Sequence, residues 1–119
     1  MSKTNNDNVV IVAAKRTPIG SFLGSLSSVS ATDLGATAIS AVINESQLTG
    51  QTIDEVFMGC VLPAGTGQAP ARQASLKAGI PQSAGCTTVN KVCGSGMKAV
   101  MMAHDQLRAE NGSVVVAGG

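Results

Sequence analysis

Runs of apolar residues alternate along this chain with stretches in which apolar positions recur at a helical period. Residues 9–14 form an unbroken apolar run, which is typical of a strand buried on both faces of a sheet. After residue 30, the apolar side chains fall on one helical face. Ser30 and Asp33 mark the start of this helix, because a serine oxygen accepts its first free N–H groups and a carboxylate suits its positive end. The pattern therefore predicts a first strand followed by a first helix.

The same alternation continues through the rest of the sequence. Pro63 ends the second apolar run, and Pro70 suits the first turn of the helix that follows. We predict three further strands and two further helices, with strands at residues 55–62, 86–92 and 113–117 and helices at residues 69–78 and 97–108. The resulting order, β-α-β-α-β-α-β, indicates the α/β class with a largely parallel or mixed sheet.

Cys93 is the candidate functional residue, because it lies between the third predicted strand and the third predicted helix. The free N–H groups and the positive end of a helix dipole point at a thiol in that position. Such a site favours the thiolate, which is the nucleophilic form. Gly94 and Gly96 lack a Cβ, so a ligand or a second backbone can come close. The placement predicts covalent catalysis through a thioester, and the alternative from the residues alone is a small buried hydrophobe.

The helix after Cys93 is apolar around most of its circumference, which is typical of a helix buried between layers. Its predicted inner face consists of Gly96, Val100, Ala103 and Leu107, widened by Met97, Met101 and His104. By helical rise, His104 lies about 16 Å from Cys93 and is too far away to act as its base. We interpret it as a structural histidine.

A dinucleotide-binding loop is a further interpretation of the same turn. Gly94-Ser95-Gly96 follows a predicted strand and opens a helix, as such a loop does. The third glycine of that motif would fall at Ala99, and no acidic residue follows at the expected distance. The sequence therefore disfavours a nucleotide-binding domain.

Composition narrows the classes of function. The chain has 119 residues, of which 44% are hydrophobic and 13% charged, and its formal net charge is +1. The basic residues are scattered, so we expect no nucleic-acid partner. No apolar run is long enough to span a membrane. We also expect no metal site, because a single histidine offers no cluster of ligands.

The cysteines and the first residues bear on the cellular compartment. We interpret residues 1–8, which are polar, as a flexible N-terminal tail and not as a secretory signal. They contain no arginine, unlike a mitochondrial transit peptide. Three cysteines are an odd number without a close pair, which favours a reducing compartment over a disulfide framework. We therefore expect a cytoplasmic protein.

Around the cysteine, residues 90–99 read NKVCGSGMKA. Four other segments stand out, namely VAAKRTPIG at residues 12–20, MGCVLPAG at 58–65, GQAPARQ at 67–73 and VVVAGG at 114–119. In this order the five segments resemble the thiolases, and in particular the acetyl-CoA acetyltransferase type, whose nucleophile segment is similar to residues 90–99. The resemblance extends over nearly the whole chain from Val9 onward.

The resemblance implies a layered αβαβα sandwich, with this chain as part of the N-terminal half. Residues 9–119 are then an incomplete thiolase N-terminal domain. In the family, a histidine in a Gly-His-Pro motif and a second cysteine in a Cys-x-Gly motif act as bases, and neither motif occurs in this sequence. We expect the remaining C-terminal portion to supply both, and this chain alone to be inactive.

The implied activity is that of an acetyl-CoA C-acetyltransferase with Cys93 as the acyl-accepting nucleophile. Two acetyl-CoA molecules condense to acetoacetyl-CoA and CoA, or the reverse thiolysis occurs, and the backbone N–H of Cys93 helps to bind an oxyanion. Coenzyme A enters as part of the substrate, so no separate cofactor and no cofactor-binding residue are expected. The resemblance also implies a homodimer or homotetramer and a place in fatty acid metabolism. Two alternatives stay open, a longer-chain 3-ketoacyl-CoA thiolase and a non-catalytic thiolase-like fragment.

Overall fold

A computed structural model describes residues 8–119, in which helices and parallel strands alternate. The helices are α1 (Ala31–Ser46), α2 (Pro70–Lys77) and α3 (Ser95–Arg108), and the strands are β1 (Glu55–Gly59), β2 (Gly85–Val89) and β3 (Val115–Gly118). A short 3₁₀ turn at Gly50–Thr52 lies between α1 and β1. The predicted α/β class is confirmed, and the helix and strand positions after residue 30 lie close to those expected.

The three strands form a parallel sheet in the order β2-β1-β3. At its start, Glu55 of β1 lies opposite Gly85 of β2 and Val115 of β3. Parallel neighbours cannot be joined by a tight hairpin, so α2 and α3 make the crossovers between successive strands. All three strands therefore end at the same edge of the sheet.

Two apolar clusters form the core, one on each face of the sheet. Adjacent strand residues point to opposite faces, and Val56 enters one cluster while Phe57 enters the other. Ile39 of α1 and Ala74 of α2 belong to the Val56 cluster, whereas Ala99 of α3 belongs to the Phe57 cluster. The described chain is therefore three-layered, with α1 and α2 on one side of the sheet and α3 on the other.

The start of α1 is capped as the sequence predicts. The Asp33 N–H donates to Ser30 Oγ over 3.1 Å. Lys77 at the end of α2 donates from Nζ to Asp33 Oδ1 over 2.7 Å and to Thr32 Oγ1 over 2.8 Å. These contacts lower the pKa of Asp33, chiefly through the Lys77 hydrogen bond and then through that of Ser30. The acidic residue of the first turn thus also holds the two helices of this layer together.

The predicted first strand is wrong for the described chain. Residues 9–14 pair with no strand there, and Ile11 is 80% exposed. An apolar run indicates what a segment can bury, but a strand also needs a neighbour whose backbone groups face it. Neither outer edge of the sheet provides that neighbour for this segment. The predicted tail at residues 1–8 lies, apart from Asn8, outside the described residues.

The predicted inner face of α3 is confirmed at Ala103, but the buried face as a whole is rotated by about one residue from the predicted one. The buried residues are Ser95, Ala99 and Ala103, whereas Met97 is 70% exposed and Val100 faces solvent as well. Small side chains let the helix axis approach the sheet closely, so the small residues face inward and the larger ones face outward. The exposed side of α3 therefore carries an apolar surface formed by Met97, Val100 and Met101.

Asp54 connects the beginnings of β1 and β3. Its Oδ2 accepts from the backbone N–H groups of Ser113 over 2.7 Å and of Val114 over 3.0 Å. These two hydrogen bonds stabilise the carboxylate and lower the pKa of Asp54. The carboxylate therefore fixes where the chain enters the third strand.

Ser75 on α2 is a polar group without a partner in the core. Its side chain is 0% exposed, and Oγ makes no hydrogen bond within residues 8–119. We expect Ser75→Ala to raise the free energy of unfolding of the complete protein by about 1 kcal/mol, because a buried, unpaired hydroxyl is removed and alanine favours the helix. Urea denaturation measures the change, with Ser83→Ala in an exposed turn as the matched control. A loss of stability in Ser75→Ala would show that the hydroxyl is bonded.

Candidate active site

Cys93 lies where the sequence places it, at the edge at which the parallel strands end. Strand β2 ends at Val89, α3 begins at Ser95, and residues 90–94 form the turn between them. The carboxyl edge of a parallel sheet is where ligands of α/β proteins bind. The Cys93 side chain is a free thiol and is exposed. The turn therefore presents a thiol to solvent beside the N-terminus of a 14-residue helix.

The backbone just before the cysteine is strained. Val92 has φ +48°, in the left-handed region. A β-branched residue rarely adopts that conformation, which costs roughly 1–2 kcal/mol for an L-residue. Such a conformation persists only where the surroundings hold it, and it is common at functional sites. The predicted strand at residues 86–92 therefore ends three residues early, and Val92 belongs to the turn.

The Ser95 hydroxyl spans this turn. Its Oγ accepts the Lys91 N–H over 2.9 Å and donates to the Val92 carbonyl over 2.6 Å. The backbone adds two bonds, from the Gly94 N–H to Lys91 O over 3.0 Å and from the Ser95 N–H to Val92 O over 3.1 Å. The conformation on both sides of Cys93 is thus held by hydrogen bonds to the first residue of α3.

Asn90 holds the other end of the turn. Its Oδ1 accepts the Val92 N–H over 3.0 Å, and its Nδ2 donates to Val61 O over 3.3 Å. A backbone bond from Cys60 to Val89, 2.9 Å long, runs beside it. The turn after β2 is therefore attached to the segment that leaves β1.

Gly59, at the end of β1, provides the closest approach in the site. A Cβ added there would lie 2.7 Å from the Ser95 carbonyl carbon and 2.9 Å from the Gly96 nitrogen. At Gly96 and Gly94, which the sequence analysis singled out, an added Cβ would meet its nearest atom at an ordinary 3.4 Å. The glycine that lets α3 start against the sheet is therefore Gly59.

His104, Cys60 and Cys86, the other residues considered from the sequence, make their contacts away from the Cys93 side chain. His104 lies in the middle of α3, where Nδ1 is 3.1 Å from Asp105 Oδ1 in an exposed pair. Cys60 and Cys86 are half-buried free thiols, and Cys86 Sγ contacts Ala84 O at 3.6 Å. No hydrogen bond within residues 8–119 connects any of these three side chains with Cys93.

Two hollows border the α1–α2 layer. One, of about 50 Å³, is lined by residues that include Met58, Cys60 and Ala74. The other, of about 370 Å³, is lined by residues that include Gln73 and Lys77. Cys93 lines neither, and its side chain faces open solvent.

No helix within residues 8–119 is long and apolar enough to cross a membrane. No group of three or more His, Cys, Asp or Glu side chains there could hold a metal ion.

The sequence pointed to Cys93, Gly94 and Gly96 but gave no structural role to Asn90, Val92 or Ser95, which shape the turn. An Asn side chain that accepts the N–H two residues on is a common turn motif, and Asn90-Lys91-Val92 carries that signal. A serine near a helix start is a candidate for bonds to nearby backbone groups, and Ser95 makes two. The left-handed φ of Val92 has no sequence signal, since valine disfavours it.

Comparison with known proteins gives one family throughout. The model of the family described as thiolase, N-terminal domain, matches residues 9–119. The mitochondrial acetyl-CoA acetyltransferase of Bos taurus is 56% identical over 119 residues, which are 100% of this chain and 28% of that protein. Acetyl-CoA acetyltransferase 1 of Arabidopsis thaliana is 54% identical over 112 residues, covering 94% of this chain and 27% of that protein.

A solved structure shares the fold. A thiolase from Ascaris suum, crystallised in complex with coenzyme A, superposes with a TM-score of 0.88 at 44% sequence identity. The match covers 89% of this chain and 28% of that one. The chain thus spans a little over a quarter of the length of these relatives.

The expected cytoplasmic location is contradicted. The matched relatives from Bos taurus, Mus musculus, Rattus norvegicus and Homo sapiens are mitochondrial proteins. Unpaired cysteines do not distinguish one reducing compartment from another, and eight polar residues without arginine are too short a stretch to argue against a mitochondrial protein. The inference from composition therefore went further than those features allow.

Proposed function

Because this chain belongs to the thiolase family, whose N-terminal domain model matches residues 9–119, we propose that the protein it forms part of is an acetyl-CoA C-acetyltransferase with Cys93 as its nucleophile. The observation that carries the proposal is the exposed Cys93 thiol, held on a strained turn at the carboxyl edge of the sheet and beside the start of α3. Identity near 55% to acetyl-CoA acetyltransferases supports the choice of substrate.

In the first step, the Cys93 thiolate attacks the thioester carbonyl carbon of acetyl-CoA. A bond forms between Sγ and that carbon, and the carbonyl electron pair moves to oxygen. When the tetrahedral intermediate collapses, the bond to the CoA sulfur breaks, and CoA leaves with the proton that Cys93 gave up to a base.

In the second step, a second acetyl-CoA loses a methyl proton to a base. Its carbanion attacks the acyl carbon on Cys93, a carbon–carbon bond forms, and the bond to Sγ breaks. The products are acetoacetyl-CoA and the free Cys93 thiolate, and thiolysis is the reverse sequence. By the resemblance, the histidine and the second cysteine that move these protons belong to the remaining portion of the protein.

The contribution of this chain to charge stabilisation is the backbone N–H of Cys93. In both steps the acyl oxygen gains negative charge next to Sγ, so a donor on the same residue is well placed for one oxyanion. In the described part of the chain the Cys93 side chain is exposed to solvent. In this proposal the remaining portion of the protein covers it and excludes water from the reacting thioester.

The proposed partners of this chain are the remaining C-terminal portion of the protein and a second copy of the protein. The apolar surface of Met97, Val100 and Met101 and the unpaired residues 9–14 are the kind of surface that a soluble protein covers. Contacts with the remaining C-terminal portion and with a second copy, in a homodimer or homotetramer, would cover them. The coenzyme A in the Ascaris suum thiolase crystal supports a CoA thioester as the substrate.

The test uses the complete protein and compares the three cysteines. We expect acetoacetyl-CoA thiolysis, and we expect iodoacetamide to modify Cys93 faster than Cys60 or Cys86, with acetyl-CoA protecting Cys93 from the reagent. Peptide mass spectrometry over a time course gives the three rates. Equal labelling that acetyl-CoA does not change would contradict the proposal.

The alternative is a longer-chain 3-ketoacyl-CoA thiolase, which uses the same nucleophile. The ratio of kcat/KM for acetoacetyl-CoA and for a 3-keto thioester with a chain of about 16 carbons separates the two activities. A ratio that favours the longer substrate would select the alternative.

A further inference from the structure

The Ser95 hydroxyl binds two backbone groups of the turn before Cys93, the Lys91 N–H and the carbonyl of the Val92–Cys93 peptide itself. It lies in a residue only 4% exposed, and it holds the Lys91 N–H and the Val92 carbonyl at 2.9 Å and 2.6 Å. The Val92 carbonyl also accepts the Ser95 N–H over 3.1 Å. Two donors from one residue therefore fix the direction of a single carbonyl.

The direction of this carbonyl sets the direction of the Cys93 N–H. No peptide bond in the described chain is cis, and in a planar trans peptide the C=O and the following N–H point in opposite directions. Since the Val92 carbonyl points into the start of α3, the Cys93 N–H points away from it. The hydrogen bonds that close the turn are donated by the N–H groups of Lys91, Val92, Gly94 and Ser95. The Cys93 N–H donates none of these bonds.

The strain at Val92 makes this orientation dependent on the hydroxyl. With φ at +48°, Val92 would lower its conformational energy by rotating toward negative φ. That rotation would turn the peptide plane between Val92 and Cys93. The hydroxyl opposes the rotation from both ends, through Lys91 and through the Val92 carbonyl itself. Asn90 opposes the same rotation through the hydrogen bond that its Oδ1 accepts from the Val92 N–H.

We propose that Ser95, with Asn90 in a lesser part, is a positioning residue that aims the Cys93 N–H at the oxygen of the acyl group. The inference rests on the proposed thiolase activity and adds to it the group that orients one oxyanion donor. Ser95 is buried and bonded to backbone, so it acts through the peptide plane and not on the substrate.

The test uses the complete protein with Ser95→Ala, Asn90→Ala and the exposed control Ser83→Ala. We expect Ser95→Ala to lower kcat for acetoacetyl-CoA thiolysis by about 10–100-fold, approaching the loss of one oxyanion donor. We expect KM, and the rate at which iodoacetamide modifies Cys93, to change less than about 3-fold, because the missing interaction belongs to the transition state. Asn90→Ala should show the same selective loss of kcat, with a smaller factor.

Each outcome decides between this inference and others. An unchanged kcat in Ser95→Ala overturns it, and so does an equal loss of alkylation rate and kcat, which indicates general disorder of the turn. If Ser95→Ala does not fold, Asn90→Ala decides, and a wild-type kcat there overturns the inference. If iodoacetamide modifies Cys93 selectively in the wild-type protein but that protein performs no thiolysis, the proposed function and this inference are overturned together.

Discussion

Cys93→Ala removes thiolysis from the complete protein, with kcat lower by at least about 10⁴-fold, because the covalent route is lost with the sulfur. The variant should fold as the wild type does, since the Cys93 side chain is exposed and belongs to neither core cluster. Cys93→Ser should be nearly as inactive, because an alcohol is scarcely ionised at neutral pH. Steady-state assay of acetoacetyl-CoA cleavage with far-UV circular dichroism measures both properties.

Cys86→Ala is the matched control for this experiment. Cys86 is a half-buried free thiol that packs against the Val56 cluster, and its Sγ donates to Ala84 O over 3.6 Å. We expect this variant to keep kcat within about 3-fold, since the substitution touches no group near the turn. A Cys93→Ala protein with more than a tenth of wild-type kcat would mean that another residue accepts the acyl group.

Gly59→Ala is expected to damage both stability and activity. The new Cβ would lie 2.7 Å from the Ser95 carbonyl carbon and 2.8 Å from its Cβ, and the close atoms at Ser95 and Gly96 include backbone. Helix α3 must therefore move away from the sheet, which costs about 1–3 kcal/mol as overpacking does. The shift carries the Ser95 hydroxyl and Cys93 with it, so we expect kcat to fall by about 10²-fold, as for a misplacement near 1 Å.

Gly118→Ala provides the comparison for Gly59→Ala. Gly118 is paired with Met58 in the same sheet, and an added Cβ would meet only the Met58 side chain, at 3.3 Å and 3.5 Å. A methionine side chain is flexible and can give way, so the cost should stay under about 1 kcal/mol. Thermal unfolding and thiolysis assays on both variants provide the test. Equal effects at the two positions would show that the contact between Gly59 and Ser95 does not hold the site.

The predictions that came from neighbouring residues are the ones the structure confirms best. Ser30 caps α1 through a bond to Asp33, three residues away, as the sequence signal indicates. Pro70 is the first residue of α2, where a missing N–H costs nothing. Signals of this kind act within one turn of the chain, so they operate whatever the rest of the molecule does.

The predictions that failed concern contacts between distant segments. Residues 9–14 have the composition of a buried strand, yet whether they pair depends on a neighbour that the described sheet does not offer them. On α3, hydrophobicity favoured Val100 as the inner residue, but Ala99 is the one in the core cluster. The size of the space between helix and sheet decided that face, and no window of the sequence contains that information.

By itself, the sequence determined the α/β alternation and the position of Cys93 between β2 and α3, because helix caps, prolines and apolar periods act over a few residues. Only the tertiary structure decided how that cysteine is held. Gly59 and Ser95 are 36 positions apart, and their contact brings the end of β1 against the start of α3. The left-handed Val92 and the two bonds of the Ser95 hydroxyl follow from that placement, against the backbone preference of valine itself. A strained turn is stable only when surrounding contacts hold it, and those contacts exist only after the chain has folded.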